Sequence, residues 1–311
     1  MKIVYMGTPE FAVAPLQSLM NAGHTIEAVV TMPDKPVGRG QVISESSVKK
    51  FAKEAGLPVL QPEKLKAEDF VAELRRINAD LFVVVAFRML PEVVWNMPKH
   101  GTINLHASLL PDYRGAAPIN WAVINGDKKT GVTTFRLSHE IDTGDVLMQE
   151  SIDIADSDDA GSVHDRLMEL GSRVLVETVA RIERGEAKPI PQSQMQGIDT
   201  ARPAPKIFKN DMKIDWASSA LSIHNKVRGL SPYPTAWTII NDEKGTEIQT
   251  KIYRTALTNT PSNAAPGSLS SDGKRLYIAA ADNLLEICEL QVAGKKRMPA
   301  ADFLRGFRLG K

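Results

Sequence analysis

Lys2-Ile3-Val4-Tyr5-Met6-Gly7-Thr8-Pro9-Glu10-Phe11 decides the fold: an apolar β-type run stops at a glycine turn and gives way at once to helical spacing. From Glu10 to Asn21 the apolar stripe runs through Phe11, Ala14, Leu16 and Leu19 and ends before Gly23. That is a helix with a glycine stop, and Pro15 requires it to bend or to start late. The same alternation continues downstream. His24 to Thr31, Leu81 to Ala86 and Thr102 to His106 read as strands, and Val48 to Ala55 and Asp69 to Ile77 as helices. Alternating strands and helices predict an α/β fold, a Rossmann-like, mainly parallel sheet with helices on both faces. Thr130 to Ser138 and Val146 to Ile154 form a further pair of strands enclosing His139 to Asp145. A long helix built on Val163, Leu167, Leu170, Val174, Val179 and Ile182, stopped at Gly185, closes the first domain.

Pro189, Pro191, Pro203 and Pro205 punctuate a stretch without periodicity, so the expected division is 1–188, a linker 189–205, and a second domain 206–311. In the second domain a helix over Ser218 to Arg228 precedes short strands at Ala236 to Ile240, Glu247 to Tyr253, Arg275 to Ala280 and Leu284 to Val292. This spacing predicts a small, OB-like β-barrel.

The 311 residues carry a net charge of +1, but unevenly. Residues 206–311 hold 16 Lys and Arg against 10 Asp and Glu, whereas the rest holds 22 against 27. A basic second domain points to a polyanionic partner, because clustered cations displace counterions from a phosphate backbone. The one cysteine, Cys288, excludes internal disulfides and four-cysteine zinc sites and fits a reducing, cytoplasmic setting. No apolar run approaches the roughly 18 residues that span a bilayer, so no membrane association is expected.

Gly7-Thr8-Pro9-Glu10 sits where a dinucleotide fold places its glycine-rich turn. There is no G-x-G-x-x-G or G-x-x-x-x-G-K-[ST] pattern, which removes the usual warrant for nicotinamide, flavin or nucleoside triphosphate chemistry. Asn104-Leu105-His106 is more informative. On a strand Asn104 and His106 share a face, at the carboxyl end where α/β sheets bind ligands. An amide beside an imidazole can hold a developing oxyanion, and Asp142 is suited to orient and charge the histidine. A metal reading of His139, Asp142 and Asp145 lacks a supporting motif.

These residues carry a resemblance. Gly7-Thr8-Pro9-Glu10-Phe11, Pro33-Asp34-Lys35-Pro36-Val37-Gly38-Arg39-Gly40 and Asn104-Leu105-His106-Ala107-Ser108-Leu109-Leu110-Pro111 are similar, in order, to segments of the methionyl-tRNA formyltransferases. So are Arg114-Gly115-Ala116-Ala117-Pro118, Asp142-Thr143-Gly144-Asp145, Ile214-Asp215-Trp216 and Gly294-Lys295-Lys296-Arg297-Met298. The resemblance implies a formyltransferase-type fold and transfer of a formyl group from 10-formyltetrahydrofolate to the amino group of methionyl initiator tRNA. By it, Asn104, His106 and Asp142 are the catalytic trio. Phe87, Arg88, Met89, Leu90, Ser108, Leu109, Leu110, Pro111 and Asp142 border the folate. Lys35, Arg39, Lys49, Lys50, Arg114, Lys206, Lys209, Lys295, Lys296 and Arg297 meet the tRNA. It implies no metal, no covalent enzyme intermediate, and a monomer.

After the fourth strand this chain has Ala86-Phe87-Arg88-Met89-Leu90-Pro91, one residue shorter than the family's A-Y-G-x-I-L-P stretch and without its glycine. Two other functions remain open at this stage: a formyltransferase acting on a small amine, and a non-catalytic RNA-binding protein on the same scaffold. The extra basic domain argues against the first, and the presence of all three trio residues against the second.

Overall fold

The computed structural model describes residues 1–37 and 42–307. Two compact units emerge, divided at several places. One comprises 1–115, 130–152 and 164–203, and the other 116–129, 153–163 and 204–311.

In the first unit β1 (Lys2–Gly7), β2 (Thr25–Val30), β5 (Val59–Leu60), β6 (Leu81–Val85) and β7 (Thr102–His106) pair in parallel. β9 (Lys129–Arg136) runs antiparallel to β7, and β10 (Val146–Asp153) takes the edge, giving the order β10-β9-β7-β6-β1-β2-β5. β3 (Lys35–Val37) and β4 (Val42–Ser44) form a separate antiparallel hairpin, and β8 (Arg114–Gly115) is a two-residue strand. The chain leaves β1 toward β2 on one side and returns to β6 on the other. The carboxyl ends of β1, β6 and β7 therefore stand side by side at the switch point where doubly wound sheets bind ligands.

Alternation along β1 explains the layers. Val4 and Met6 join Val84, Phe82 and Ala28 under α3 (Glu68–Ile77) and α4 (Glu92–Trp95), through Phe70, Val71, Leu74 and Val94. Tyr5 turns to the other side, is fully buried, and donates its hydroxyl to the Ala12 carbonyl at 2.6 Å. Burial pushes its pKa well above the usual phenol value. α6 (Ala160–Glu183) approaches the sheet through Gly171, where a Cβ would stand 2.9 Å from the Leu105 side chain. α1 (Val13–Asn21) begins late, after a 3-10 turn over Glu10–Ala12. Pro15 thus falls in the first turn, where its missing N–H removes no helical bond. α2 (Ser47–Glu54) is capped by Ser46, which accepts from the Lys49 N–H at 3.0 Å.

The stretch 189–205 is not featureless. Ile190 and Val146 exchange two backbone bonds of 2.8 Å, and a 3-10 turn follows over Gln192–Gln194. β11 (Pro203–Ala204) leads into the second unit.

There, α5 (Pro118–Ile124), α7 (Ala220–Leu230) and α8 (Ala300–Gly306) accompany a curled antiparallel sheet. Its order is β12 (Ala236–Asn241), β13 (Glu247–Pro261), β16 (Asn283–Val292), β15 (Leu276–Ala279), β14 (Leu269–Ser271), with β17 (Met298–Pro299) also on β16. It is the half-barrel form of the expected barrel. β13 outruns the expected strand to Pro261 because register shifts against β16 after Ile252, Arg254 and Leu257 let it bend and continue. Ile223, Val227, Leu230, Ile252, Ile278, Leu285, Ile287 and Phe303 fill its core. The buried Arg228 explains why residues 153–163 belong to this unit: its guanidinium donates to the Ala155 carbonyl at 3.2 Å and the Asp158 carbonyl at 3.1 Å. Among the described residues no helix is long and apolar enough to cross a membrane.

Two histidines give the stability a pH dependence. His224 is held below its ordinary pKa by burial and then by the Arg228 charge, and His24 by burial and then by the terminal ammonium. The unfolded chain takes up these protons near pH 6.5 and the folded chain only at lower pH, so their contribution is present above about 6.5 and is lost as pH falls through the depressed values. The urea midpoint is expected to fall between about pH 7.5 and 5, and less steeply in His224→Gln. A midpoint that rises on acidification contradicts this.

Candidate active site

β7 ends beside β6 with Val84 opposite Asn104 and Val85 opposite Leu105. Asn104 and His106 therefore share the face that carries Val84, while Leu105 turns toward α6. The Asn104 side-chain oxygen is buried and has no hydrogen-bond partner among the described residues. The Thr8 hydroxyl, just past β1, and Arg88 Nε, just past β6, are in the same condition. Three rim positions thus carry polar atoms that protein groups leave unsatisfied, which is what a polar ligand requires of its site.

His106 is 7% exposed and stands edge-on to Phe135, with ring centroids 6.5 Å apart. Its Nε2 lies 2.8 Å from the Tyr113 carbonyl, which can only accept, so Nε2 carries a hydrogen. Nδ1 faces Asp142 Oδ2 at 3.8 Å. Asp142 has a φ of 54°, and Oδ2 accepts from the Gly115 N–H at 2.9 Å. The folded chain thus sets His106 beside Asp142, with Asn104 two residues earlier on the same face of β7.

The loop after β7 is held from within. Ser108, fully buried, donates to the Asp112 carbonyl at 2.6 Å and accepts Thr133's hydroxyl on its own carbonyl at 2.6 Å. Leu110 sits in a small core with Phe135 and Val146, and its carbonyl accepts from Gln149 at 2.7 Å. Leu109 packs over Gly131, and Pro111 is buried. The Ser108 and Leu110 side chains shape this loop from inside.

After β6, Ala86 takes a φ of 47°, a left-handed conformation that favours glycine. The chain makes this turn with an alanine. Arg88 turns back to donate to the Pro62 carbonyl at 2.7 Å and the Glu63 carbonyl at 3.0 Å, with its guanidinium 5.3 Å from the centre of the Phe87 ring. Phe87 and Leu90 pack on the sheet core, and Met89 projects with 66% exposure. His139 lies 3.7 Å from Glu92 and edge-on to Trp95, which sets the loop of Asp142 alongside α4.

Among the described residues, some of the cations expected to meet tRNA are exposed and others are already engaged by protein groups. Lys49 is bound to Asp34 at 2.5 Å and to Glu45 at 3.2 Å, and Gln61 donates to the other Asp34 oxygen at 2.8 Å. The bonds from Lys49 and then Gln61 hold the Asp34 carboxyl below its usual pKa, and the Asp34 bond raises that of Lys49. This group ties the roots of the β3–β4 hairpin. Arg39 lies outside the described residues, and Lys35 and Lys50 are exposed. Arg114 is engaged with Gln192, a residue missed from the sequence because nothing in its neighbourhood carries a motif.

In the second unit Lys206, Lys209, Lys295 and Lys296 are exposed. Lys206 lies 5.5 Å from the centre of the Phe208 ring. Arg297 pairs with both Glu289 oxygens, at 2.7 and 2.6 Å, over the Tyr253 ring.

A family model described as Formyl transferase matches residues 1–179, and one described as Formyl transferase, C-terminal domain, matches residues 206–308. A formyl transferase is thus the class that the doubly wound sheet and its polar rim define. The methionyl-tRNA formyltransferase of Bacteroides fragilis is 54% identical over 99% of this chain and 96% of its own length. That of Parabacteroides distasonis is 54% identical over the same shares. The chain belongs to the methionyl-tRNA formyltransferase family. Among solved structures, HypX from Aquifex aeolicus in complex with tetrahydrofolic acid superposes with a TM-score of 0.66 at 19% identity, over 99% of this chain and 48% of that one. This chain thus spans about half the length of HypX. The N-formyltransferase from Helicobacter canadensis gives a TM-score of 0.64 at 19% identity over 96% of this chain and all of that one. At such identity both establish the fold alone.

Proposed function

We propose that this chain transfers the formyl group of 10-formyltetrahydrofolate to the α-amino group of methionyl initiator tRNA, giving formylmethionyl-tRNA for the start of translation. The observation that carries the reading is the 54% identity to methionyl-tRNA formyltransferases across nearly the whole of both chains. The unsatisfied Asn104 amide oxygen, the buried His106 and the exposed Met89 at one rim fit a folate co-substrate that has both a polar reacting end and apolar surface. The folate supplies an activated formyl carbon.

The amine attacks that carbon, a new N–C bond forms, and the carbonyl oxygen gains negative charge. Asn104 donates to that charge through its amide N–H, and His106 donates through Nδ1 as an imidazolium, with hydrogens on both ring nitrogens. Because Nε2 of His106 is engaged by Tyr113, the nitrogen turned toward the reacting atoms is Nδ1, on the Asp142 side. Asp142 takes the proton shed by the amine, directly or through a water. The proton returns to the folate nitrogen as the old N–C bond breaks. The side chains of Phe87 and Met89 and the backbone of Leu109 to Pro111 border the co-substrate. Lys35, Arg39 and Lys50 in the first unit and Lys206, Lys209, Lys295 and Lys296 in the second meet tRNA phosphates. The enzyme works in the cytoplasm as a monomer, with no metal.

Formyl transfer to methionine-charged initiator tRNA, with uncharged tRNA and glycinamide ribonucleotide as controls, tests this. Formylation of the small amine would return the chain to the small-acceptor alternative. A salt titration adds a second measurement. Each phosphate contact contributes a slope of about −0.7 to −0.9 to log affinity against log salt, so kcat/KM for the tRNA is expected to fall steeply while folate-analogue affinity barely changes. Equal, shallow dependences would contradict the tRNA contacts.

A further inference from the structure

Gln192 is a polar residue only 3% exposed, in a stretch whose sequence gives no hint of a role. A glutamine amide has two N–H donors and an oxygen with two lone pairs. Here all four are engaged. Nε2 donates to the Asp142 carbonyl at 2.9 Å and to the Gly144 carbonyl at 2.8 Å. Oε1 accepts from Arg114 Nε at 3.0 Å and from Arg114 Nη2 at 2.6 Å. The next residue, Gly115, donates its N–H to Asp142 Oδ2. The backbone at 114–115 and the backbone at 142–144 are therefore tied twice, once through the Asp142 carboxylate and once through Gln192.

We infer that Gln192 is a positioning residue for formyl transfer: by holding the Asp142 and Gly144 carbonyls with one end of its amide and Arg114 with the other, it fixes the Asp142 carboxylate beside His106. This rests on the reading of Asp142 as the proton-handling residue. Asp142 needs such a tie because its φ of 54° lies in the left-handed region, where an aspartate persists only if its surroundings hold it. Gln192 is itself well anchored, two residues beyond the reciprocal Ile190–Val146 bonds and at the head of a 3-10 turn. No other side chain replaces it. Glutamate keeps an acceptor for Arg114 but offers no N–H to the carbonyls, asparagine is one methylene short, and methionine fills the space with neither function. Arg114 is accordingly part of the tie, its guanidinium turned inward to the glutamine.

The test is a double-mutant cycle on the full chain with Gln192→Met and Asp142→Asn. Alone, Gln192→Met is expected to lower kcat by about 10- to 100-fold, because a small misplacement of a reacting group is enough for that. KM for methionyl-tRNA and the calorimetric affinity for 5-formyltetrahydrofolate should each move by less than about twofold. In the Asp142→Asn background the same change should have less than about a twofold further effect, since the residue through which Gln192 acts is already gone. If the two losses multiply, Gln192 does not act through Asp142 and the inference fails while the reading of Asp142 stands. Near-normal kcat in Asp142→Asn overturns both. Should Gln192→Met fail to fold, Gln192→Glu keeps the Arg114 contact and enters the same cycle with the same two outcomes.

Discussion

Asn104→Ala is expected to lower kcat for formyl transfer by about 10²- to 10³-fold, with KM for methionyl-tRNA little changed and the protein no less stable than its parent. The size follows from the role, because one donor to a developing oxyanion in a water-poor site is worth on the order of 3 to 4 kcal/mol. The stability expectation follows from the free protein, where the buried amide oxygen of Asn104 has no partner among the described residues. Removing a polar atom that no described protein group satisfies leaves no new protein orphan behind. His106→Ala makes the contrast. It should lose as much in kcat, but it also removes the Nε2 hydrogen bond to the Tyr113 carbonyl and takes the ring away from Phe135. Losing a buried hydrogen bond costs on the order of 1 kcal/mol and emptying the space of a buried ring adds to it, so this variant should melt several degrees lower. Single-turnover formylation and thermal melts on the two variants separate these effects. If Asn104→Ala kept its turnover, the oxyanion assignment would be wrong whatever its stability.

Much of this site was legible because its geometry is periodic. Asn104 and His106 lie two apart on a strand, so they share a face, and the apolar run of β6 and the turn after β1 set the strands on either side of the switch point. Glycine stops and the late start forced by Pro15 were equally local. What could not be read is what depends on distant partners. Lys49 stands in a basic segment and reads as a phosphate contact, yet in the fold it is bound to Asp34 and Glu45. Arg114 reads the same way and is bound to Gln192, 78 positions along the chain. The aperiodic stretch that contains Gln192 signals a linker, since a lone buried amide leaves no pattern. The left-handed turn at Ala86 was hidden for the opposite reason, because the residue that usually announces such a turn is absent.

Gly144→Ala is the stability change with the largest expected effect, and it should also disable the enzyme. A Cβ built on Gly144 falls 1.7 Å from the Arg136 carbonyl oxygen and 2.9 Å from the carbonyl carbon. Both are main-chain atoms of β9, which cannot move aside: Arg136 is opposite Ile103 in the sheet and donates its N–H to the Asp145 carbonyl at 2.9 Å. The glycine is required here for closeness. The segment 142–145 would have to lift off β9, and the Gly144 carbonyl would leave Gln192. Overpacking against a fixed wall costs about 3 kcal/mol, which lowers the melting temperature by roughly 5–10 °C in a unit of this size. Because Asp142 is two residues away, kcat should fall at temperatures where the variant is still folded. Gly23→Ala is the control. That glycine has a φ of +84° with nothing within 4 Å of its Cβ position, so only the left-handed backbone penalty of about 1–2 kcal/mol applies and turnover should be untouched. If Gly144→Ala instead melted like Gly23→Ala and kept its kcat, the close packing of the Asp142 loop on β9 would not be what holds the carboxylate in place.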